Sequence, residues 1–137
     1  MALKAVPKKK KWKKLTPLKV QESFNQAVRE RDGKCVSCGK IENLQSSHFF
    51  AVKGSGSIRF HPKNAHAQCA GCHIEWHNRN CMPYFRYCND NIEGFSKIEL
   101  LKTKTIKHTQ ELLIEIQNLS KQKEFDKIEL LIESRLF

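Results

Sequence analysis

Residues 64–73 read NAHAQCAGCH, and this stretch, paired with CVSCGK at residues 35–40, decides the reading of the chain. Cys35 and Cys38 form one C-x-x-C turn and Cys69 and Cys72 a second, about 30 residues apart. Each such turn presents two thiolates to one ion, and two turns complete a tetrahedron. Four sulfur ligands favour Zn²⁺ over an iron–sulfur cluster and leave no open position, so the expected role is structural. Gly39, directly after Cys38, permits a tight turn that aims backbone N–H groups at sulfur. A redox dithiol needs only one C-x-x-C. Structural zinc contributes on the order of 10 kcal/mol to folding. That matters in a chain of 137 residues with 39% apolar content, where the core is modest. Cys81 and Cys88 lie outside the pairs and read as small buried thiols.

Moving outward, the histidines are placed unusually. His48 follows Ser46 and Ser47 on an expected strand (SSHFFAV), Asn64 lies five residues before Cys69, and His73 directly follows Cys72. His77 comes four residues later, so on a helix beginning near residues 69–72 it shares a face with His73. Singly, these residues have plainer readings. His48 would be a satisfied strand histidine, His73 a surface residue, His61 and His66 loop residues, and His108 part of a tail helix. Jointly, at this spacing, they point to a site.

The flanks supply the remaining elements. Residues 20–31, VQESFNQAVRER, carry Val20, Phe24 and Val28 on one helical face, and Asp32-Gly33 ends that helix. SIRF at 57–60 reads as a second short strand after the Gly54-Ser55-Gly56 turn, and residues 62–64 as a loop. Residues 80–94 are mixed, with Pro83 and Gly94 as breaks. Residues 95–119 read as helical, as do residues 124–136. Their apolar faces suit packing on the body or a two-fold homodimer equally.

Charge indicates the partner. Lys plus Arg number 25 against 14 acids, a net charge of +11, and no acid precedes Glu22. Such a balance suits a polyanion, most commonly nucleic acid. Lys8, Lys9, Lys10, Lys11, Lys13 and Lys14 surround Trp12 and read as a DNA-gripping arm able to hold phosphates and stack a base. No apolar leader and no run of about 20 apolar residues is present. A cytoplasmic protein with no membrane partner is therefore expected, in a compartment where six cysteines point to metal rather than disulfides.

The series CVSC, SHFF, NAHAQC and CAGCH resembles the HNH (ββα-metal, His-Me finger) endonucleases over residues 33–80. It is closest to the NinG/Rap family of phage recombination endonucleases, to which the WHNRN segment and the KHTQELLIEI run also look similar. The resemblance implies an α+β fold: a small ββα-metal core on the four-cysteine zinc site, an N-terminal helix and long C-terminal helices. It divides the chain into a basic arm (1–19), a zinc-stabilised nuclease core (20–94) and a helical tail (95–137). It implies phosphodiester hydrolysis in branched DNA, such as Holliday junctions, inside the phage-infected bacterial cell. On this resemblance His48 is the general base, Asn64 orients its strand or loop, and His73 and His77 hold a catalytic divalent ion, Mg²⁺ or Mn²⁺. Arg59 would clamp a phosphate oxygen. Two positions depart from the pattern. Ser47 stands where many HNH enzymes place an acid, and His73 stands where NinG/Rap-like proteins usually carry Asn. Imidazole-rich ligation shifts preference toward Mn²⁺ or Ni²⁺. A nicking or restriction-type enzyme on ordinary duplex and a non-catalytic zinc DNA-binding module are the alternatives.

Overall fold

A computed structural model describes residues 14–53 and 56–136. Lys8, Lys9, Lys10, Lys11, Trp12 and Lys13 of the expected arm lie outside the described residues, and Lys14 is exposed. The first helix, α1, runs over Pro17–Asp32. Thr16 caps it by accepting from the Lys19 N–H at 3.3 Å, Pro17 occupies its first turn, and Gly33 ends it at φ 65°. A two-stranded antiparallel sheet follows, β1 (Leu44–His48) paired with β2 (Ala65–Cys69), in a register that sets His48 opposite Ala65. Helix α2 (Ala70–Asn78) starts directly from β2, so strand, strand and helix succeed one another. Four further helices complete the chain: α3 (Met82–Asn91), α4 (Ser96–Leu101), α5 (Gln110–Lys121) and α6 (Phe125–Ser134).

The hairpin lies between two apolar clusters. On one side α1, α5 and α6 bury Val20, Phe24, Val28, Leu112, Leu113, Ile116, Ile128 and Ile132, with Phe60 and Ala65 closing the cluster. On the other, Ile58, Tyr84, Cys88, Phe95 and Ile98 pack with Phe49, Phe50 and Trp76. Every residue of β2 is buried. Among the described residues its outer edge has no third strand, and its polar groups are met largely by side chains. The Arg31 guanidinium donates to the Ala65 carbonyl at 2.7 Å and the Pro62 carbonyl at 3.0 Å, while Asp32 accepts from the Ala67 N–H at 2.8 Å.

Several local expectations change. SIRF is not a strand. Gly56–Ile58 is a 3-10 turn, carried on by bonds from Arg59 N to Gly56 O and from His61 N to Ile58 O. The alternation is satisfied without pairing, because Ile58 enters one cluster and Phe60 the other. The second strand is AHAQC, whose Ala and Gln content carries little strand signal. Pro83 sits in the first turn of α3 rather than breaking it, since its missing N–H costs nothing there. The expected helix over 95–119 divides at residues 102–109, and Thr109 caps the new start by accepting from the Leu112 N–H. His108 accordingly lies in this loop, not in a helix, with its ring edge-on to Phe60 at 5.6 Å. His66 is a buried strand residue, and His61 is fully buried against Glu133 at 3.2 Å. Cys88 is buried as expected, but Cys81 is exposed at the start of α3.

Candidate metal centre beside a four-cysteine cage

The second cysteine pair is built by the junction of β2 and α2. Cys69 is the N-cap of α2, and its sulfur accepts from the Cys72 N–H at 3.5 Å. The first pair sits on a turn closed by Gly39 N to Cys35 O at 2.8 Å and Cys35 N to Lys40 O at 2.7 Å, with Gly39 at φ 82°. Val36 N binds the Ala67 carbonyl at 2.9 Å and so ties this turn to β2. All four sulfurs lie within 4.8 Å of one another, and those of Cys38 and Cys69 are 3.7 Å apart. Thiolates about 2.3 Å from one tetrahedral ion stand about 3.8 Å apart, so the cage fits zinc. Burial pushes the Cys35 thiol up, but N–H groups of Cys69, Cys38 and Ser37 aimed at its sulfur outweigh this and bring it to about 7. The thiolate a metal needs is thus favoured at that position.

His48 ends β1 and faces α1. Burial holds its imidazole down at about 4, opposed by a backbone hydrogen bond with Arg59 and reinforced by the Arg59 and His73 charges. Gln21 of α1 orders this corner. Its carbonyl oxygen accepts from Arg59 Nε at 2.7 Å, which turns its NH₂ group to Asn25 Oδ1 at 2.8 Å and to His48 Nε2 at 3.4 Å. A donor facing Nε2 puts the ring proton on Nδ1 and leaves the Nε2 lone pair as acceptor. The Trp76 indole donates to the His48 carbonyl at 3.3 Å and anchors β1 to α2. Arg59 lies half-buried beside Phe60, 5.5 Å from its ring centre.

Asn64 is fully buried between the strands. Its Oδ1 accepts from the Phe50 N–H at 2.9 Å, and its Nδ2 donates to the Phe50 carbonyl at 3.1 Å and toward that of Ile58 at 3.4 Å. One side chain therefore joins both ends of the loop connecting His48 to Arg59.

On α2, the Nε2 atoms of His73 and His77 are 3.0 Å apart. The Gln45 side-chain oxygen, on β1, accepts from His73 Nδ1 at 2.7 Å, which leaves the His73 Nε2 lone pair facing His77. Cis ligands on one octahedral ion with bonds of about 2.1 Å stand about 3.0 Å apart, so this pair can hold one divalent ion. Ser47 supplies nothing to it. Its side chain is fully buried, and its carbonyl accepts from the Tyr84 hydroxyl at 3.1 Å.

Sequence reasoning missed Gln21 and Gln45. Gln21 had a signal: it is a polar residue adjoining the apolar Val20–Phe24–Val28 face, where a glutamine is buried only to meet other polar groups. Gln45 lies in a short polar strand and had none. No helix among the described residues is long and apolar enough to cross a membrane. No curated protein and no solved structure matches the chain. The family model described as bacteriophage lambda NinG protein matches residues 1–129, and the chain belongs to this phage recombination-related family.

Proposed function

We propose that the protein is a metal-dependent DNA endonuclease of the HNH type, built on a ββα core, that hydrolyses phosphodiester bonds in branched DNA during phage recombination. One observation carries the reading. A half-buried neutral His48 with a defined acceptor nitrogen lies beside the half-buried cation Arg59 and within electrostatic reach of His73, whose Nε2 is 3.0 Å from that of His77. Hydrolysis of a phosphodiester needs a base for water, charge on the phosphate and help for the leaving oxygen. His48 Nε2, once its long 3.4 Å contact with the Gln21 amide opens, takes the proton from water, and its depressed basicity keeps the ring unprotonated across the physiological range. Gln21 and the Arg59 backbone hold that ring in one tautomer. Arg59 keeps its Nε on Gln21 and offers its terminal nitrogens to a phosphate oxygen. His73 and His77 are the residues that would hold a divalent ion, which when bound supplies positive charge at the scissile phosphate. The two-imidazole donor set, with Ser47 buried away, favours Mn²⁺ over Mg²⁺. Cys35, Cys38, Cys69 and Cys72 would hold zinc, which would position β2 and α2 and take no part in the chemistry.

The test is cleavage of a four-way junction and of a linear duplex of matching sequence, with Mn²⁺ or Mg²⁺, by wild type and His48→Ala. The expected result is ion-dependent cutting of the junction that His48→Ala abolishes while zinc content and DNA binding persist. Cutting of the duplex alone transfers the reading to a nicking enzyme. Binding without any divalent-ion-dependent cutting leaves a zinc DNA-binding module and removes the catalytic assignment.

A further inference from the structure

Residues 102–109, the break between α4 and α5, read KTKTIKHT. No acid occurs between Glu99 and Glu111. Ser57, Lys102, Thr103, Lys104, Thr105 and His108 line an open cavity of about 430 Å³. Lys102, Lys104 and Lys107 are exposed, and none makes an ion pair among the described residues. By contrast Lys63, Lys97, Lys123 and Lys127 are each matched to a glutamate. Unmatched cations gathered in one acid-free loop repel one another and gain most from an external anion.

The loop is also fixed beside the site. Ser57 Oγ donates to the Leu101 carbonyl at 2.9 Å, the His108 ring packs edge-on against Phe60, and the Lys102 ammonium sits 4.5 Å above the Phe50 ring. Phe50 and Phe60 flank the segment that carries Arg59. At the loop's other end, Gln110 clamps Leu15, accepting from its N–H at 2.9 Å and donating to its carbonyl at 2.6 Å. Lys14, the last residue of the lysine-rich N-terminal stretch, therefore leaves the body next to this loop.

We infer that residues 102–109 form a second nucleic-acid contact, in which Lys102, Lys104 and Lys107 bind backbone phosphates of the DNA strand running from Arg59 toward Lys14. Exposed lysine ammonium groups with no acidic neighbour suit phosphate oxygens rather than bases, so the contact is independent of sequence. The inference rests on the DNA reading above and not on its catalytic part.

The experiment measures DNA affinity against salt concentration, without added Mg²⁺ or Mn²⁺, for wild type, Lys102→Gln/Lys104→Gln/Lys107→Gln and Lys104→Gln. A control, Lys121→Gln/Lys123→Gln/Lys127→Gln, removes the same charge around the turn between α5 and α6, with α5 itself, about 18 Å long at 1.5 Å per helical residue, between it and the loop. Each phosphate contact contributes about 0.9 to the logarithmic salt slope on duplex DNA. The loop triple variant is expected to lose about 2.7 of that slope, Lys104→Gln about 0.9, and the control much less than one. An unchanged slope in the loop variants, an equal loss in the control, or no DNA binding by wild type overturns the inference. A wild type that binds with the expected loop dependence yet never cuts overturns the nuclease reading alone. Should the triple variant lose zinc or helical content, Lys104→Gln decides, since that side chain is exposed and unpaired.

Discussion

Removing the Asn64 side chain tests the architecture of the site most directly. Asn64→Ala deletes two hydrogen bonds of good geometry, to Phe50 N and Phe50 O, and a longer one toward Ile58 O. The residue is fully buried, so water does not readily replace it, and the Phe50 N–H is left without its acceptor. At about 1 kcal/mol net per good bond, with about 1–3 kcal/mol for a stranded buried donor, the cost is about 3 kcal/mol. With a urea dependence of about 1–3 kcal/mol per molar, that moves the unfolding midpoint down by roughly 1.5 M. Asn64→Asp sharpens the test. It keeps the acceptor for Phe50 N but faces two carbonyl oxygens with an acceptor instead of a donor, so it should lose at least as much. Urea unfolding of the zinc-loaded protein, followed by circular dichroism, reads both. Because Phe50 lies two residues from His48 and Ile58 adjoins Arg59, both variants should also impair any activity these residues share. A loss below about 0.5 kcal/mol for Asn64→Ala, or a stable Asn64→Asp, would refute the claim that this amide joins the two ends of the loop.

Other expectations follow from the same geometry. Stripping zinc with a chelator should unfold β2 and the start of α2 and lower thermal stability steeply, because Cys69 and Cys72 belong to those elements; a chelated protein with an unchanged melting curve contradicts the structural role. Tyr84→Phe should cost about 1–3 kcal/mol, since it removes the buried hydroxyl that donates to the Ser47 carbonyl and bonds His66 Nδ1; denaturant titration measures it. Acid should destabilise the fold between pH 6.5 and 4.5. Burial depresses His48 to about 4 and His66 to about 3, below an unfolded value near 6.5, so their contribution is complete above pH 6.5 and is lost as pH falls toward those values. At about 1.4 kcal/mol per group per unit, the two account for up to roughly 5 kcal/mol over that interval. A flat urea midpoint there, with zinc occupancy followed in parallel, would contradict the burial of two neutral rings.

The cysteine pairs, α1 and the helix bearing His73 and His77 were legible because each rests on short-range chemistry: ligand spacing, a 3.6-residue apolar face, a cap. What the sequence hid is long-range. The stretch SIRF has the alternation of a strand, yet it lies between two apolar clusters and can place Ile58 in one and Phe60 in the other from a 3-10 turn. The true second strand, AHAQC, has almost no strand propensity. It becomes one because its edge is satisfied by Arg31 and Asp32 and its last residue is held by the cysteine cage. The same coupling explains why the sequence could flag Gln21 on its helical face but not its role. Its importance comes from meeting Arg59 and His48, which are 38 and 27 residues away. The cage and the site are therefore not separate devices. Cys69 ends the strand whose first residue pairs with His48, and Cys72 precedes His73 on the same helix. Zinc held in the cage would fix the relative position of the strand and helix from which the candidate base and ion ligands project, so its loss should scatter those residues before it exposes the larger apolar cluster under α1 and α5.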